Sequence, residues 1–514
     1  MPGASPSVHR FDAAWRGAAL VVAGLTLARL TVLFATPLQL YPDEAQYWLW
    51  SRTLDWGYYS KPPMIAWTIW ATTALGGNAE PWVRLGAPLF HAGAALAIFA
   101  AGRRLYGAAT AFAACALYML MPAVQLSSGV IATDAPLLLF LSLALLAYVD
   151  LQQAEGRRGL AAAAGFGAAM GLAFLSKYAA VYGLIGLALH LATSREARAA
   201  WNPARIASAV AALAVILAPN LIWNAAHGFA TLQHTASNAD WGAKRLFNPG
   251  EFVEFVISQF GVFGPIPFAA LLGGAAVLAW RRRLTAEDRL LLCFALPALV
   301  IVAVQAFISR ANANWAAASF VPGSILAAAW LTRWRARGWL IAAVATQAAV
   351  AILFLVWATY PATAEAMGMA NSFKRAKGWA EATQLTIERA RREPGLTAVA
   401  VNDRFLFNAM AYYARDEIAS GALPPLTMWV RAAHPQTQAE LTDPLTKARG
   451  ARVLGVIMGR SHADEMHADF GRVRGQEIDT IRLDRKHVRR LELFVGEPFA
   501  PRPRDPVTGL PTPP

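Results

Sequence analysis

The sequence predicts a polytopic α-helical membrane protein with about eleven spans, interfacial helices in the first outside loop and a small C-terminal α/β domain. Three observations predict this. Of 514 residues, 56% are hydrophobic and only 15% are charged. Apolar stretches long enough to cross a bilayer recur along most of the chain. Beyond residue 358 the pattern changes to alternating helix-period and strand-period segments. A formal charge of +14 would suggest nucleic acid in a soluble domain. In a membrane protein it reflects arginines that set orientation and meet anionic lipid, so membrane lipid is an expected partner and nucleic acid is not. Cys115 and Cys293 both fall inside apolar spans, which argues against a disulfide or a metal pair.

Hydropathy places the spans near 17–36, 83–101, 108–126, 135–150, 159–176, 178–193, 206–223, 255–280, 290–309, 316–332 and 338–358. With the N-terminus inside, the inside loops hold Arg10, Arg16, Arg103, Arg104, Arg157, Arg158, Arg281, Arg282 and Arg283, among others. The outside loops hold Arg52, Lys61, Arg84, Lys177, Lys244, Arg245 and Arg310, although they are longer in total. Positive charge on short loops sets topology, so this asymmetry puts the N-terminus in the cytoplasm and everything after Tyr360 outside. The first span has no convincing cleavage site and reads as a retained anchor.

Three domains are therefore expected: a transmembrane catalytic domain over 1–358, a periplasmic α/β domain over 359–496, and a disordered proline-rich tail over 497–514. In the second, 372–393 has helical period, and "LTAVAV" (396–401) and "ARVLGVIMG" (451–459) read as strands.

This topology gathers the exceptional charges. Asp43, Glu44 and Lys61 lie in the first outside loop, and Asp134 lies between the third and fourth spans. Lys177 sits where the fifth span turns into the sixth, and Arg310 ends the ninth. A charge at membrane depth costs several kcal/mol unless paired or hydrated, so each needs a reason to be there. Each also has an ordinary reading. Asp43 and Asp134 fit helix caps, Lys177 a snorkelling lysine, and Arg310 an interface anchor. His227 and His234 read as loop residues, because no third ligand stands at metal spacing.

The combination favours a site. "DEAQYWLWSRTLDW" has helical spacing with an aromatic face and is expected to lie along the membrane surface. "GYYSKPPMIAWTIW" then re-enters the bilayer, with Pro62 and Pro63 keeping the backbone extended beside Lys61. A carboxylate wall and a cationic wall at the lipid–water boundary suit an amphiphile with a phosphate head. The cations would hold the phosphate, and a carboxylate could take a proton from an attacking hydroxyl.

"DEAQYWLWSRTLDWGYYSKPPMIAW", "ATDAPLLLFLSLALLAY", "GLAFLSKYAAVYGL", "PNLIWNAAHGF" and "RANANWAAASF" together resemble bacterial glycosyltransferase family 39. That group is related to protein O-mannosyltransferases, lipid A aminoarabinose transferase and the rhizobial galacturonosyltransferases. "NDRFLFNAMAYYARD" is similar to its C-terminal periplasmic domain. The resemblance implies a GT-C fold and a polyprenyl-phosphate-linked sugar donor used on the periplasmic side of a bacterial inner membrane. It matches Asp43 to the first acidic position, with Glu44 beside it, and Asp134 to the second, making these three the catalytic candidates. Lys61 and Tyr58 match a "Y-x-x-K-P-P" element that contacts the carrier phosphate, where many relatives carry Asp-His for Ser60-Lys61. Lys177 and Arg310 are further phosphate candidates, and Tyr59, His234 and Asn314 are candidate substrate contacts.

The implied reaction is inverting transfer of a hexosyl or pentosyl group to a lipid A, surface-glycan or other envelope acceptor. Protein O-glycosylation is the alternative within the family. A transporter would place charges near the midplane in repeated halves, and no repeat is visible. A scaffold would not need charges in its membrane part. No cofactor is predicted, and the question of a divalent metal stays open.

Overall fold

The computed structural model describes residues 13–237, 246–506 and 508–512. Arg10, Lys244 and Arg245, three of the cations counted for orientation, lie outside the described residues. The chain forms two compact units. A helical unit comprises Met1–Ala35, Lys61–Thr68 and Arg84–Leu355, and a sheet unit comprises Thr36–Ser60, Ile69–Val83 and Val356–Pro514.

Among the described residues, eight helices are long and apolar enough to cross a membrane, or ten spans if each of two bent pairs counts as one. The eight are Ala13–Ala35, Glu80–Tyr106, Asp134–Gln153, Gly156–Ser176, Pro203–Ala226, Ala286–Ile308, Ala313–Arg333 and Arg337–Thr359. Sequence starts and stops explain several ends. Asn202 caps the Pro203 helix by accepting from the Arg205 amide at 3.0 Å, with proline at the first helical position. Thr285 and Asp288 form a capping box for the Ala286 helix. The fully buried Asp288 also accepts from Tyr106 Oη (2.8 Å), Trp330 Nε1 (3.0 Å) and Arg333 Nη1 (2.6 Å). One carboxylate thus joins three spans at their arginine-rich end.

The count differs from the expected eleven for backbone reasons. The expected span 178–193 is the shorter apolar helix Tyr178–Thr193. At 1.5 Å per residue it reaches roughly 24 Å, short of a hydrocarbon core of about 30 Å. The expected span 255–280 is two helices, Pro249–Phe263 and Pro265–Trp280, bent by 119°. Gly264 has φ +101° before Pro265, a conformation that only glycine takes readily. Gln347 Nε2 donates to the Phe263 carbonyl at 2.6 Å and satisfies one group freed by the break. Pro122 similarly divides 108–126 into Ala108–Leu120 and Pro122–Gly129, bent by 53°.

The sheet unit contains strands β1 (Ala398–Val401), β2 (Leu426–Met428), β3 (Val453–Met458), β4 (Phe470–Arg482) and β5 (Val488–Phe499). Their order is β2-β1-β3-β5-β4. β1 pairs in parallel with β2 and β3, placing Val399 opposite Leu426 and Leu454, while β5 is antiparallel to β3 and β4. The helices Trp379–Arg392 and Arg404–Tyr413 bury Trp379, Ile387, Leu406 and Met410 in one core with these strands.

Two expectations about this unit are corrected. The helix Pro42–Trp50 buries its aromatics Tyr47, Trp48 and Trp50 within the protein instead of displaying them. Trp48 meets Tyr412 edge to face at 5.0 Å, and Leu40 N donates to Tyr413 Oη at 2.8 Å. Residues Thr36–Ser60 of the first loop therefore belong to the sheet unit, while Lys61 belongs to the helical unit. The tail is not disordered from residue 497, because β5 runs to Phe499 and the next residues return to the sheet. Asp469 is fully buried and receives Arg502 Nε (3.3 Å), Arg504 Nη2 (3.0 Å) and Trp429 Nε1 (2.9 Å). A buried carboxylate needs such cations, which fastens the tail.

Candidate active site

In the helical unit, three of the expected site residues meet. Asp134 opens the helix Asp134–Gln153, where the positive end of the helix dipole favours a carboxylate. Lys177 follows Ser176 in extended conformation (φ −163°), which ends the helix Gly156–Ser176 and turns the ammonium aside. Its Nζ donates to Asp134 Oδ1 at 2.8 Å. Asn314 Nδ2, from the short turn Ala313–Ser319 after the Ala286–Ile308 span, donates to Asp134 Oδ2 at 3.2 Å. The Lys177 and Asp134 side chains stay 22% and 16% exposed, so the pair is shielded yet reachable. An ammonium has three N–H donors, and one is used on Asp134. The others can meet a phosphate oxygen, while Asp134 and Asn314 hold the lysine in place.

Two asparagines that sequence reasoning passed over brace this cluster from behind. Tyr178, next to Lys177, donates to Asn220 Oδ1 at 3.1 Å and accepts from Asn224 Nδ2 at 3.0 Å. Both asparagines are fully buried on the Pro203–Ala226 helix. Two amides spaced i, i+4 in an apolar span were the available signal, since buried amides are rarely left unpaired.

Asp43 and Glu44 part company. Glu44 is fully buried, and its Oε2 accepts from the Tyr41 amide at 2.8 Å, closing the first turn of its own helix. Glu44 thus caps its own helix through that oxygen. Asp43 is exposed on the same turn. Tyr58 turns its hydroxyl to the backbone of its own loop. Its hydroxyl donates to the Trp50 and Thr53 carbonyls (3.1 and 3.0 Å) and accepts from the Asp55 amide. The ring stacks on Trp50 at 4.8 Å, and burial pushes the phenol up to about 12. Tyr59 is tied to the C-terminal part of the same unit: its amide donates to Gln438 Oε1 at 2.9 Å and its hydroxyl to the Pro435 carbonyl at 3.3 Å.

Lys61 belongs to the helical unit and is half-buried before Pro62 and Pro63, which lead into the helix Met64–Gly76. Arg310 is exposed four residues before Asn314, and its carbonyl accepts from Gln305 Nε2 at 3.2 Å. His234 is half-buried on the helix Ala230–Ser237, and His227 stacks on Trp223 at 4.0 Å. Among the described residues, no group of three or more His, Cys, Asp or Glu side chains is disposed to hold a metal ion.

Known proteins share this architecture. The sequence pattern of the dolichyl-phosphate-mannose-protein mannosyltransferase family matches residues 60–223. The lipid A galacturonosyltransferase RgtD of Rhizobium johnstonii is 42% identical over 317 residues, covering 62% of this chain. The aligned part spans 65% of that relative's length. Two crystal structures of ArnT from Cupriavidus metallidurans resemble the whole chain. The form bound to undecaprenyl phosphate has a TM-score of 0.65 at 17% identity, covering 93% of this chain and 98% of that one. The apo form has a TM-score of 0.62 at 16% identity, covering 94% and 98%. At such identities the likeness is one of fold, and it extends through the sheet unit. The multi-pass chain is thus similar to a mannosyltransferase family over residues 60–223, to a lipid A galacturonosyltransferase over 317 residues, and to ArnT in fold.

Proposed function

We propose that the protein is an inverting glycosyltransferase that moves a sugar from a polyprenyl-phosphate donor to lipid A or a related envelope glycan. The observation that carries this reading is the Lys177–Asp134–Asn314 cluster, a braced cation at the end of two apolar helices. A phosphate head on a lipid tail is the ligand that such a cation suits. The similarity to a lipid A galacturonosyltransferase supports lipid A as acceptor and a hexuronic acid as the sugar. ArnT, whose fold is shared, has been seen with undecaprenyl phosphate, which supports the donor class.

In this reaction an acceptor oxygen attacks the anomeric carbon as the bond to the phosphate oxygen breaks. Polyprenyl phosphate leaves, and configuration inverts. Lys177 and Lys61 meet charge that grows on the phosphate as the bond lengthens, so they act more in the transition state than in binding. Asp134 and Asn314 orient Lys177. Asp43 takes the proton if the acceptor is a hydroxyl, and orients the donor if the acceptor is already an anion. Arg310 is a further phosphate contact, and Tyr59 and His234 are substrate contacts. The excess of arginine in the loops on one side supports placing this chemistry on the periplasmic side of a bacterial inner membrane, with the N-terminus in the cytoplasm.

The match of residues 60–223 to a protein mannosyltransferase family favours protein as a second acceptor class. Mass spectrometry of lipid A, surface glycan and periplasmic protein from a deletion strain separates the two readings. Loss of one hexuronic acid from lipid A is expected, restored by the wild-type gene and not by the Lys177→Ala variant. Loss from protein alone would transfer the assignment to the second class.

A further inference from the structure

The two helices that carry the cluster hold a second feature at their other ends. Asp134–Gln153 is 20 residues long, so its ends lie roughly 30 Å apart, about the thickness of a hydrocarbon core. Along it runs an open groove of ≈ 1100 Å³ in the helical unit. Ala161, Gly165 and Ala168 form its hollow floor on one helix, and Phe140 and Leu143 rim it on the other. Its mouth, at the arginine-rich end, is charged: Arg104, Asp150, Glu155 and Arg158 all line it.

This mouth is built rather than incidental. Arg104 reaches over from the Gly86–Tyr106 helix to pair with Asp150, and its Nη1 donates to the Ala100 carbonyl at 3.2 Å. The buried Arg205 donates to the carbonyl of Ala154, a lining residue, at 2.7 Å and fixes the turn between the two helices. A Cβ on Gly159 would lie 2.3 Å from that guanidinium and would displace it from the turn.

We propose that the groove is a binding site for one phospholipid whose headgroup carries a primary ammonium. A hollow open to the bilayer is filled by an acyl chain, since an empty one forfeits its dispersion contacts. The mouth selects the head. Two arginines match the phosphate, and two carboxylates match the ammonium. An anionic head would bring no cation to Glu155 or to the Asp150 oxygens beside Arg104, and a quaternary ammonium has no N–H to donate. The site is separated from the Lys177–Asp134 cluster by the length of the span and does not depend on the proposed reaction.

The test uses the delipidated full-length chain, titrated with dioleoyl phosphatidylethanolamine, phosphatidylglycerol or phosphatidylcholine and read by native mass spectrometry. One phosphatidylethanolamine is expected per chain, preferred roughly tenfold, as one charge-assisted hydrogen bond would give. Asp150→Asn should erase the preference, and Gly165→Leu should lower retention of all three lipids. Equal retention of the three by the wild-type chain, a preference that survives Asp150→Asn, or unchanged retention by Gly165→Leu would overturn the proposal. The wild-type ranking decides on its own if either variant fails to fold.

Discussion

The Lys177 ammonium donates to Asp134 Oδ1 at 2.8 Å, across 43 residues of chain, and the other oxygen of that carboxylate is held by Asn314. A lysine at a span end would otherwise bend to the nearest water. Here it is aimed by its partner. If the cluster binds phosphate, Lys177→Ala should cost roughly 1.5–3 kcal/mol of donor binding and slow turnover. Asp134→Asn should lose less, and the double variant should match Lys177→Ala, because Asp134 acts through the lysine. Fully additive losses in donor titration and turnover would mean that Asp134 has its own task.

Tyr178 is the next link. Tyr178→Phe removes a hydroxyl shared by Asn220 and Asn224, at roughly 1 kcal/mol per lost hydrogen bond. The apparent KM for donor should rise several-fold with a smaller change in kcat, since lysine placement is loosened and no reacting group is lost. A matching fall in both melting temperature and kcat at unchanged KM would reduce this tyrosine to a packing role.

The two neighbours Asp43 and Glu44 should fail in different ways. Asp43→Asn preserves shape on an exposed turn and should lower turnover by roughly 10²–10⁴-fold if the acceptor is a hydroxyl, with donor still bound. Glu44→Gln weakens the cap on the Tyr41 amide and should lower stability by roughly 1 kcal/mol while the surviving folded enzyme turns over normally. Turnover assays beside thermal melts in detergent distinguish these. A catalytic defect in Glu44→Gln at unchanged melting temperature would reverse the assignment.

These contrasts show what the sequence made legible. Asp134, Lys177 and Asn314 stand out because charges and amides at span ends are costly and few. "DE" conceals which carboxylate turns back on its own helix, since only the cap geometry at Tyr41 decides it. The aromatic face of Pro42–Trp50 looks the same to a lipid surface and to Tyr412, so its packing partner is not legible in the pattern. Hydropathy ignores the backbone, so the 255–280 run hid a turn that Gly264-Pro265 spelled out. β4 and β5 escaped notice because β4 is mostly exposed and carries polar residues along an edge.

The C-terminal tail should matter to stability. Burial pushes the Asp469 carboxyl up, and Arg504, the Arg502 amide and Trp429 more than offset this, leaving it below the usual range. A depressed folded pKa contributes stability that is fully present above the unfolded value of about 3.9 and is lost as pH falls through the folded one. Arg504→Ala leaves a buried carboxylate with one cation fewer and should lower the melting temperature at pH 7 by several degrees. The variant should lose less than wild type on further acidification below pH 4. Melts of the full chain across pH check both, and an unchanged midpoint at pH 7 would show the tail to be ornamental.

The central claim is sugar transfer from a polyprenyl-phosphate donor. Its most direct test gives the purified full-length chain, in lipid nanodiscs, an undecaprenyl-phosphate-linked galacturonic acid and lipid A. The expected result is lipid A heavier by one hexuronic acid, undecaprenyl phosphate released in equal amount, inverted anomeric configuration, and loss of both products with Lys177→Ala. Donor that binds and stays intact with lipid A, glycan and peptide acceptors alike, or a product that retains configuration, would contradict the account.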